Sequence, residues 1–441
     1  MTSVREIVVR GSVQAAGTLA VIAGLIGLIT GWPYGHGLIT AGLAVYLASL
    51  FNRRMSFHRS MGAFELMRAQ GDDALQHIES AVRSYRKLAV KRPREAMHLA
   101  DALGKQWKVL NKLSRHDEAL QVGREEVETW RAVVINEPAH RVRLSTALNH
   151  VSVSLNRLDR DDESISVDEE AIVVQRSLVA QDEQLLALHV ANLAVDLRNL
   201  GRWEEALPAA VEAVGLYRRL APSEPDLLEA AANAAESLQI IALRLDRYED
   251  GVAAAREWVG FERARAADQP QRTPQLAEAV RQLGSTLMMA DRREEGQTSW
   301  RESLEIRRRL AESADEHRPA YAEACSTIGH GLEALGEAAE ALAVFQTGLS
   351  VRRELAAIDP KHYDDLLTEL AEAAFSTRLY TGDSEPAAAS FAAEASAVAR
   401  EHPGSISRAA LVEAADLLTR AEFADEAHEL EDLSAQHSDS R

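Results

Sequence analysis

Apolar residues in this chain return at helical spacing, and the helices they define return at a longer, fixed spacing. Leu103, Leu148, Val190, Val280, Cys325, Leu370 and Leu411 form one column. Leu110, Leu155, Leu197, Leu287, Leu332 and Leu418 form a second, and where both are present they stand seven residues apart. That separation puts both columns on one helical face, the buried one. Just beyond the second column the chain turns, at LSRHDEAL (Leu113–Leu120), LDRDDESI (Leu158–Ile165), LGRWEEAL (Leu200–Leu207), LDRYEDGV (Leu245–Val252), ADRREEGQ (Ala290–Gln297) and LGEAAEAL (Leu335–Leu342). With weaker copies starting at Arg68, Tyr380 and Ala421, successive starts lie 45, 45, 42, 45, 45, 45, 45 and 41 residues apart. Each copy predicts the end of one helix, a tight reversal and the start of another. A period this regular marks a solenoid of helix pairs.

The polar positions keep the same period. An acidic pair opens each second helix (Asp117–Glu118, Glu204–Glu205, Glu249–Asp250), where negative charge complements the helix N-terminus. A small residue follows at Ala74, Ala119, Ser164, Ala206, Gly251, Gly296 and Ala341. A second small column, Ser152, Ala194, Gly284, Gly329, Ala374 and Ala415, lies on the first helices. Two facing small columns let a pair of helices cross closely. Trp107 and Gln239 interrupt the second column and predict different packing there. Pro93, Pro138, Pro225, Pro270 and Pro360 stand 25 positions after their turn starts and close the second helix. Arg86, Arg131, Arg176, Arg218, Arg263, Arg308 and Arg353 stand 18 after. The expected role of that arginine column is to offset the helix dipole and pair with an acid of a neighbouring unit.

The small residue after the acidic pair, the LG-type turn, the apolar columns and the closing proline resemble tetratricopeptide repeats. The 45-residue period resembles the extended class, of which kinesin light chain repeats are an example. The resemblance covers residues 54–430 and implies an all-α, right-handed superhelical solenoid of antiparallel helix pairs. It also implies that the first helices line a concave peptide-binding face. Asn149, Asn156, Arg198, Glu236, Arg281 and His330 are the side chains expected there; they share no common type, so a clamp for a C-terminal carboxylate is not expected. Pro386 and Asp383–Ser384–Glu385 depart from the pattern, and the last unit is expected to lack its second helix as a decaying cap. The solenoid is assigned to residues 53–430 and a disordered tail to 431–441.

The first fifty residues change the picture. From Gly11 to Asn52 there is no Asp, Glu, Lys or Arg. The run divides at GWPYGHG (Gly31–Gly37), and Ser12–Thr30 as a helix spans about 28 Å, close to a ~30 Å hydrocarbon core. Residues 1–52 are therefore expected to form a two-helix membrane hairpin. Arg5 and Arg10 before it and Arg53, Arg54 and Arg59 after it place both termini in the cytoplasm by the positive-inside rule. Small residues at every fourth position let the two helices of one hairpin pack closely, with association between hairpins as the alternative. Charge is uneven: the net −19 divides into +9 over residues 1–115 (16 Lys+Arg, 7 Asp+Glu) and −28 over the remainder. Five of the six lysines lie between Lys87 and Lys112. Arg53, Arg54, Lys87, Lys91, Lys105, Lys108 and Lys112 are expected to meet anionic lipid.

No phosphate-binding glycine loop, HExxH or GxSxG occurs, and Cys325, the only cysteine, sits in a core column. No enzyme activity, cofactor, metal or nucleic acid is expected. The function expected is a membrane-anchored cytoplasmic scaffold that binds a protein or peptide partner, with an oligomer through the hairpin left open. A membrane-perturbing effector with the repeats as sensor is the alternative, as is a regulatory partner of a separate enzyme or transcription factor.

Overall fold

A computed structural model describes residues 72–178, 182–381 and 385–436. Among the described residues all regular structure is helical. The helices are α1 (Asp72–Lys91), α2 (Ala96–Lys112), α3 (His116–Asn136), α4 (Arg141–Asn156), α5 (Asp161–Arg176), α6 (Glu183–Asn199), α7 (Trp203–Leu220), α8 (Leu228–Arg244) and α9 (Tyr248–Asp268). They continue with α10 (Thr273–Met289), α11 (Arg293–Ser313), α12 (Arg318–Ala334), α13 (Ala338–Ile358), α14 (Tyr363–Thr381), α15 (Glu385–Glu401), α16 (Arg408–Arg420) and α17 (Ala424–Gln436). The chain divides into two compact units, one up to Gln181 and one from Asp182 onward. In the first unit α2 packs on α3 and α4 on α5; in the second, α6 on α7, α8 on α9, α10 on α11, α12 on α13, α14 on α15 and α16 on α17.

One reversal joins the helices of each pair. The residue after the turn start has a left-handed backbone: Ser114 (φ 56°), Asp159 (53°), Gly201 (72°), Asp246 (55°), Asp291 (58°) and Gly336 (82°). The next N–H then bonds back to the carbonyl five residues earlier, as from Arg115 to Leu110 at 3.0 Å, Arg202 to Leu197 at 2.8 Å and Arg292 to Leu287 at 2.8 Å. This is the Schellman closure, which satisfies carbonyls the helix end leaves open. The leucine column therefore serves twice, its side chain in the core and its carbonyl in the cap. The arginine that donates this N–H turns its guanidinium to the acid three residues on, in Arg115–Glu118 at 2.6 Å, Arg202–Glu205 at 2.6 Å and Arg247–Asp250 at 2.5 Å.

The prolines act as expected. Each opens a single 3₁₀ turn, at Pro93–Glu95, Pro138–His140, Pro225–Leu227, Pro270–Arg272 and Pro360–His362. The residue before each is extended (φ −141° at Arg92, −132° at Glu137), because proline excludes the helical region there. Asp315–His317 makes the same turn without proline.

The core follows the two columns, with Leu103, Leu148, Val190, Val280, Cys325, Leu370 and Leu411 all buried. Trp107, which interrupts the small column, is itself buried. Its indole donates to Ser154 Oγ at 2.8 Å and its ring stacks on His150 with centroids 3.9 Å apart. Gln239, the other interruption, donates to Thr286 Oγ1 at 2.6 Å. The arginine column reaches forward as expected: Arg86 to Glu125 at 2.7 Å, Arg131 to Glu170 at 2.5 Å, Arg218 to Glu257 at 2.9 Å, Arg263 to Glu302 at 2.8 Å and Arg353 to Glu394 at 2.6 Å. Arg308 departs, pairing with Glu305 and Glu312 of its own helix.

Two expectations are corrected. The last unit keeps its second helix: α17 packs on α16 and α15, burying Ala427 and Leu430, and runs through Gln436. The assignment to a membrane with two spanning helices and cytoplasmic termini is overturned. Among the described residues no helix is long and apolar enough to cross a membrane. Charged residues interrupt each of these helices, so none presents the unbroken apolar surface that lipid requires. The expected hairpin over 1–52, with Arg53 and Arg54, lies outside the described residues.

Candidate functional site

The side chains expected on the first helices do not form one surface. Three of them meet in the second unit. Arg198 of α6 donates to Ser237 of α8 at 2.8 Å. Its neighbour Glu236 is half-buried, and burial lifts its carboxyl above the usual carboxylate range. Arg198 opposes that rise, while Glu262 and Glu278 add to it. One helix pair further on, Glu278 of α10 accepts from Arg281 at 3.1 and 2.5 Å, from Gln282 at 3.1 Å and from Arg307 of α11 at 2.8 Å. Burial alone would raise the Glu278 carboxyl, but these donors, Arg281 foremost, hold it below the ordinary value. Behind them Glu262 of α9 is only 3% exposed. One of its oxygens takes Arg265 at 2.6 Å, while Oε2 is buried without a hydrogen-bond partner, as is Arg307 Nε.

His330 stands in a separate cluster spanning α12 to α14. Its Nδ1 lies 3.0 Å from Ser376 Oγ and 3.9 Å from Glu333, and its Nε2 3.8 Å from Glu372. Ser376 in turn donates to the buried Glu333. The ring meets Phe345 edge-on at 4.9 Å. Burial would lower the His330 pKa; the two carboxylates outweigh it and raise it to about 9.

Asn149 and Asn156 lie on α4 in the first unit, both half-buried, and Asn156 Oδ1 is buried without a hydrogen-bond partner. The polar centre of that unit is elsewhere. Glu126 and His150 form a buried pair at 2.8 Å beneath Trp107, and a side chain at Gly104 would stand 2.6 Å from the Glu126 carboxylate. Lys87 and Lys91 of α1 and Lys105, Lys108 and Lys112 of α2 are exposed.

Glu262, Glu278, Arg307, Glu333, Glu372 and Ser376 were not singled out in the sequence. A signal exists seventeen residues after each turn start. Tyr85, Trp130 and Tyr217 are aromatic there, whereas Gln175, Glu262, Arg307 and Arg352 are polar. A charge where the repeat sets an aromatic, on the inward side of a second helix, marks a buried polar network.

These groups hydrogen-bond and pair charges; none is a poised nucleophile. The Cys325 thiol is buried, and that burial pushes it up to about 12.

A family model described as tetratricopeptide repeat matches residues 186–225, which hold most of α6 and all of α7. That segment is similar to a tetratricopeptide repeat. Comparison with curated proteins finds no match. Among solved structures, BtubC (BKLC) from P. vanneervenii aligns at 16% identity and a TM-score of 0.42, over 54% of this chain and 90% of that one. YrrB, described as a TPR protein with an unusual peptide-binding site, aligns at 14% identity and 0.35, over 51% of this chain and 93% of that one. A signal transduction ATPase of Pyrococcus horikoshii with a tetratricopeptide repeat sensor aligns at 12% identity and 0.41, over 84% of this chain and 53% of that one. Among the described residues the fold is an all-helical array of helix pairs, of which α6 and α7 fall in the stretch similar to a tetratricopeptide repeat.

Proposed function

We propose that this chain is a non-catalytic interaction scaffold whose first helices hold an extended segment of a protein partner. The observation that carries the reading is the network of Arg198, Ser237, Glu236, Glu278 and Arg281. It places buried and half-buried polar groups on three successive first helices, with α6 bonded to α8 and Glu278 of α10 close enough to raise Glu236. A carboxyl lifted by burial and an arginine held by a hydroxyl and an amide oxygen, with no carboxylate on it, keep hydrogen-bonding capacity for a peptide backbone or polar side chain. His330 and Glu372 would continue the surface on α12 and α14. The repeat match over α6 and α7 supports the same reading. Random-peptide phage selection against the full chain tests it. Selected peptides should lose at least tenfold in affinity to the Arg198→Ala, Arg281→Ala double variant. Peptides that bind that variant as tightly as the parent would remove α6–α10 as the site.

A further inference from the structure

Cations are treated differently at the two ends of the described chain. Between residues 182 and 436 every lysine and arginine except Arg198, Arg244 and Arg408 lies within 4.0 Å of a carboxylate. Of those three, Arg198 bonds Ser237 and Arg244 stands over the Trp203 ring. Around α1, α2 and α4 most cations differ, although Arg83 and Arg86 of α1 pair with Glu79 and Glu125. Lys87, Lys91, Arg92, Arg94, Lys105, Lys108, Lys112, Arg141, Arg143 and Arg157 have no carboxylate partner among the described residues. Lys105, Lys108 and Lys112 lie at i, i+3 and i+7 of α2 and make one exposed stripe, with Asp101 the acid on the same face. Arg94 precedes the stripe in the 3₁₀ turn, and Arg157 repeats the position of Lys112 one unit later.

We propose that this band on α2 docks an acidic segment of a partner protein. The inference goes beyond the α6–α10 surface and does not depend on it. The choice of residue is informative. Arginine does nearly all the carboxylate pairing in this molecule, with its planar fork set on glutamate. Lysine, a mobile and strongly hydrated point charge, pairs at Lys361 with Asp359, and the other five lysines all fall in the unpaired group. Such a band recognises negative charge without demanding one geometry, as a run of Asp and Glu side chains presents it. Its length fits a short segment: α2 spans about 25 Å, the reach of seven or eight extended residues. A nucleic acid suits it less. Trp107 is buried in the core and no exposed aromatic stands on the stripe to stack a base.

Fluorescence anisotropy of fluorescein-labelled octaglutamate with the full chain tests the proposal. At 50 mM salt the peptide should bind, and it should weaken as salt rises. The Lys105→Gln, Lys108→Gln, Lys112→Gln triple variant should bind about tenfold more weakly, and each single variant about twofold. Arg256→Gln with Arg301→Gln, which removes paired cations, should leave binding unchanged. Equal binding by the triple variant, or no binding by the parent, overturns the proposal. So does an eight-nucleotide thymidine strand or an anionic lipid vesicle that competes through the same lysines and binds more tightly than the peptide. A concentration-dependent dimer of the chain alone, lost in the triple variant, would give the band to a second copy and likewise overturn it.

Discussion

A single imidazole shows how a repeat position acquires individual chemistry. His330 faces Glu333 and Glu372, with Ser376 and Phe345 completing its surroundings, and its pKa rises to about 9 in the fold. A group bound more tightly to its proton when folded stabilises the fold most when protonated. Its contribution is fully present below the unfolded value near 6.5 and is lost as pH rises through about 9. Urea midpoints measured from pH 6 to 10 should therefore fall more steeply for the parent than for His330→Gln. Parallel curves would show that the carboxylates do not hold the proton. The ring is over a third exposed, so solvent screening keeps the difference modest. Nothing in the 45-residue period announces this residue. It was legible as a polar side chain on a first helix, but Ser376 and Glu372, which define its behaviour, come from the next unit and enter only once the helices stack.

Between elements, what matters is how closely two helices approach. Gly284 of α10 faces Gly296 of α11, and a Cβ on Gly284 would stand 2.4 Å from Trp300 Cδ1 and 3.0 Å from the Gly296 carbonyl oxygen. Gly284→Ala should therefore destabilise the chain by about 1–3 kcal/mol, despite alanine's better helix propensity of about 1 kcal/mol. Gly260 of α9 has nothing within 4 Å of the same point. Gly260→Ala should be neutral or raise the melting temperature, so the two variants moving together would refute the packing account. Both small columns were readable from sequence because close crossing demands small side chains at every repeat. The Trp107 and Gln239 exceptions were visible only as breaks. Their solution, an indole over the buried Glu126–His150 pair and an amide on Thr286, rests on partners from other helices that no local pattern encodes. The polar cluster of α6–α11 was less legible for the same reason: Arg198, Glu236 and Arg281 were named from the sequence as groove candidates, whereas Glu262, Glu278 and Arg307 sit in columns that elsewhere hold other chemistry.

Across the whole molecule, charge governs the response to acid. Paired arginines hold the carboxyls of Glu118, Glu163, Glu205, Glu295, Glu340 and Glu429 below the ordinary value, and that of Glu305 at about 2. Groups depressed in the fold stabilise it above their unfolded value, and that support is lost as pH falls through the folded one. Glu236 and Glu369, raised by burial, work in the opposite direction but are fewer. Helicity followed by circular dichroism should hold to about pH 4.5 and fall between there and pH 2, earlier at high salt because exposed pairs are screened. Retention of full helicity at pH 2 would show that the ladders contribute nothing. Those ladders also obey a rule of distance. Arg86, Arg124, Arg131, Arg218, Arg256, Arg263 and Arg301 each reach the glutamate 39 residues ahead. Excising residues 246–290, one full period, would bring Glu302 to the place Glu257 holds before Arg218. A chain with this grammar can be lengthened or shortened by whole words, because every junction already speaks to its successor in the same syllables.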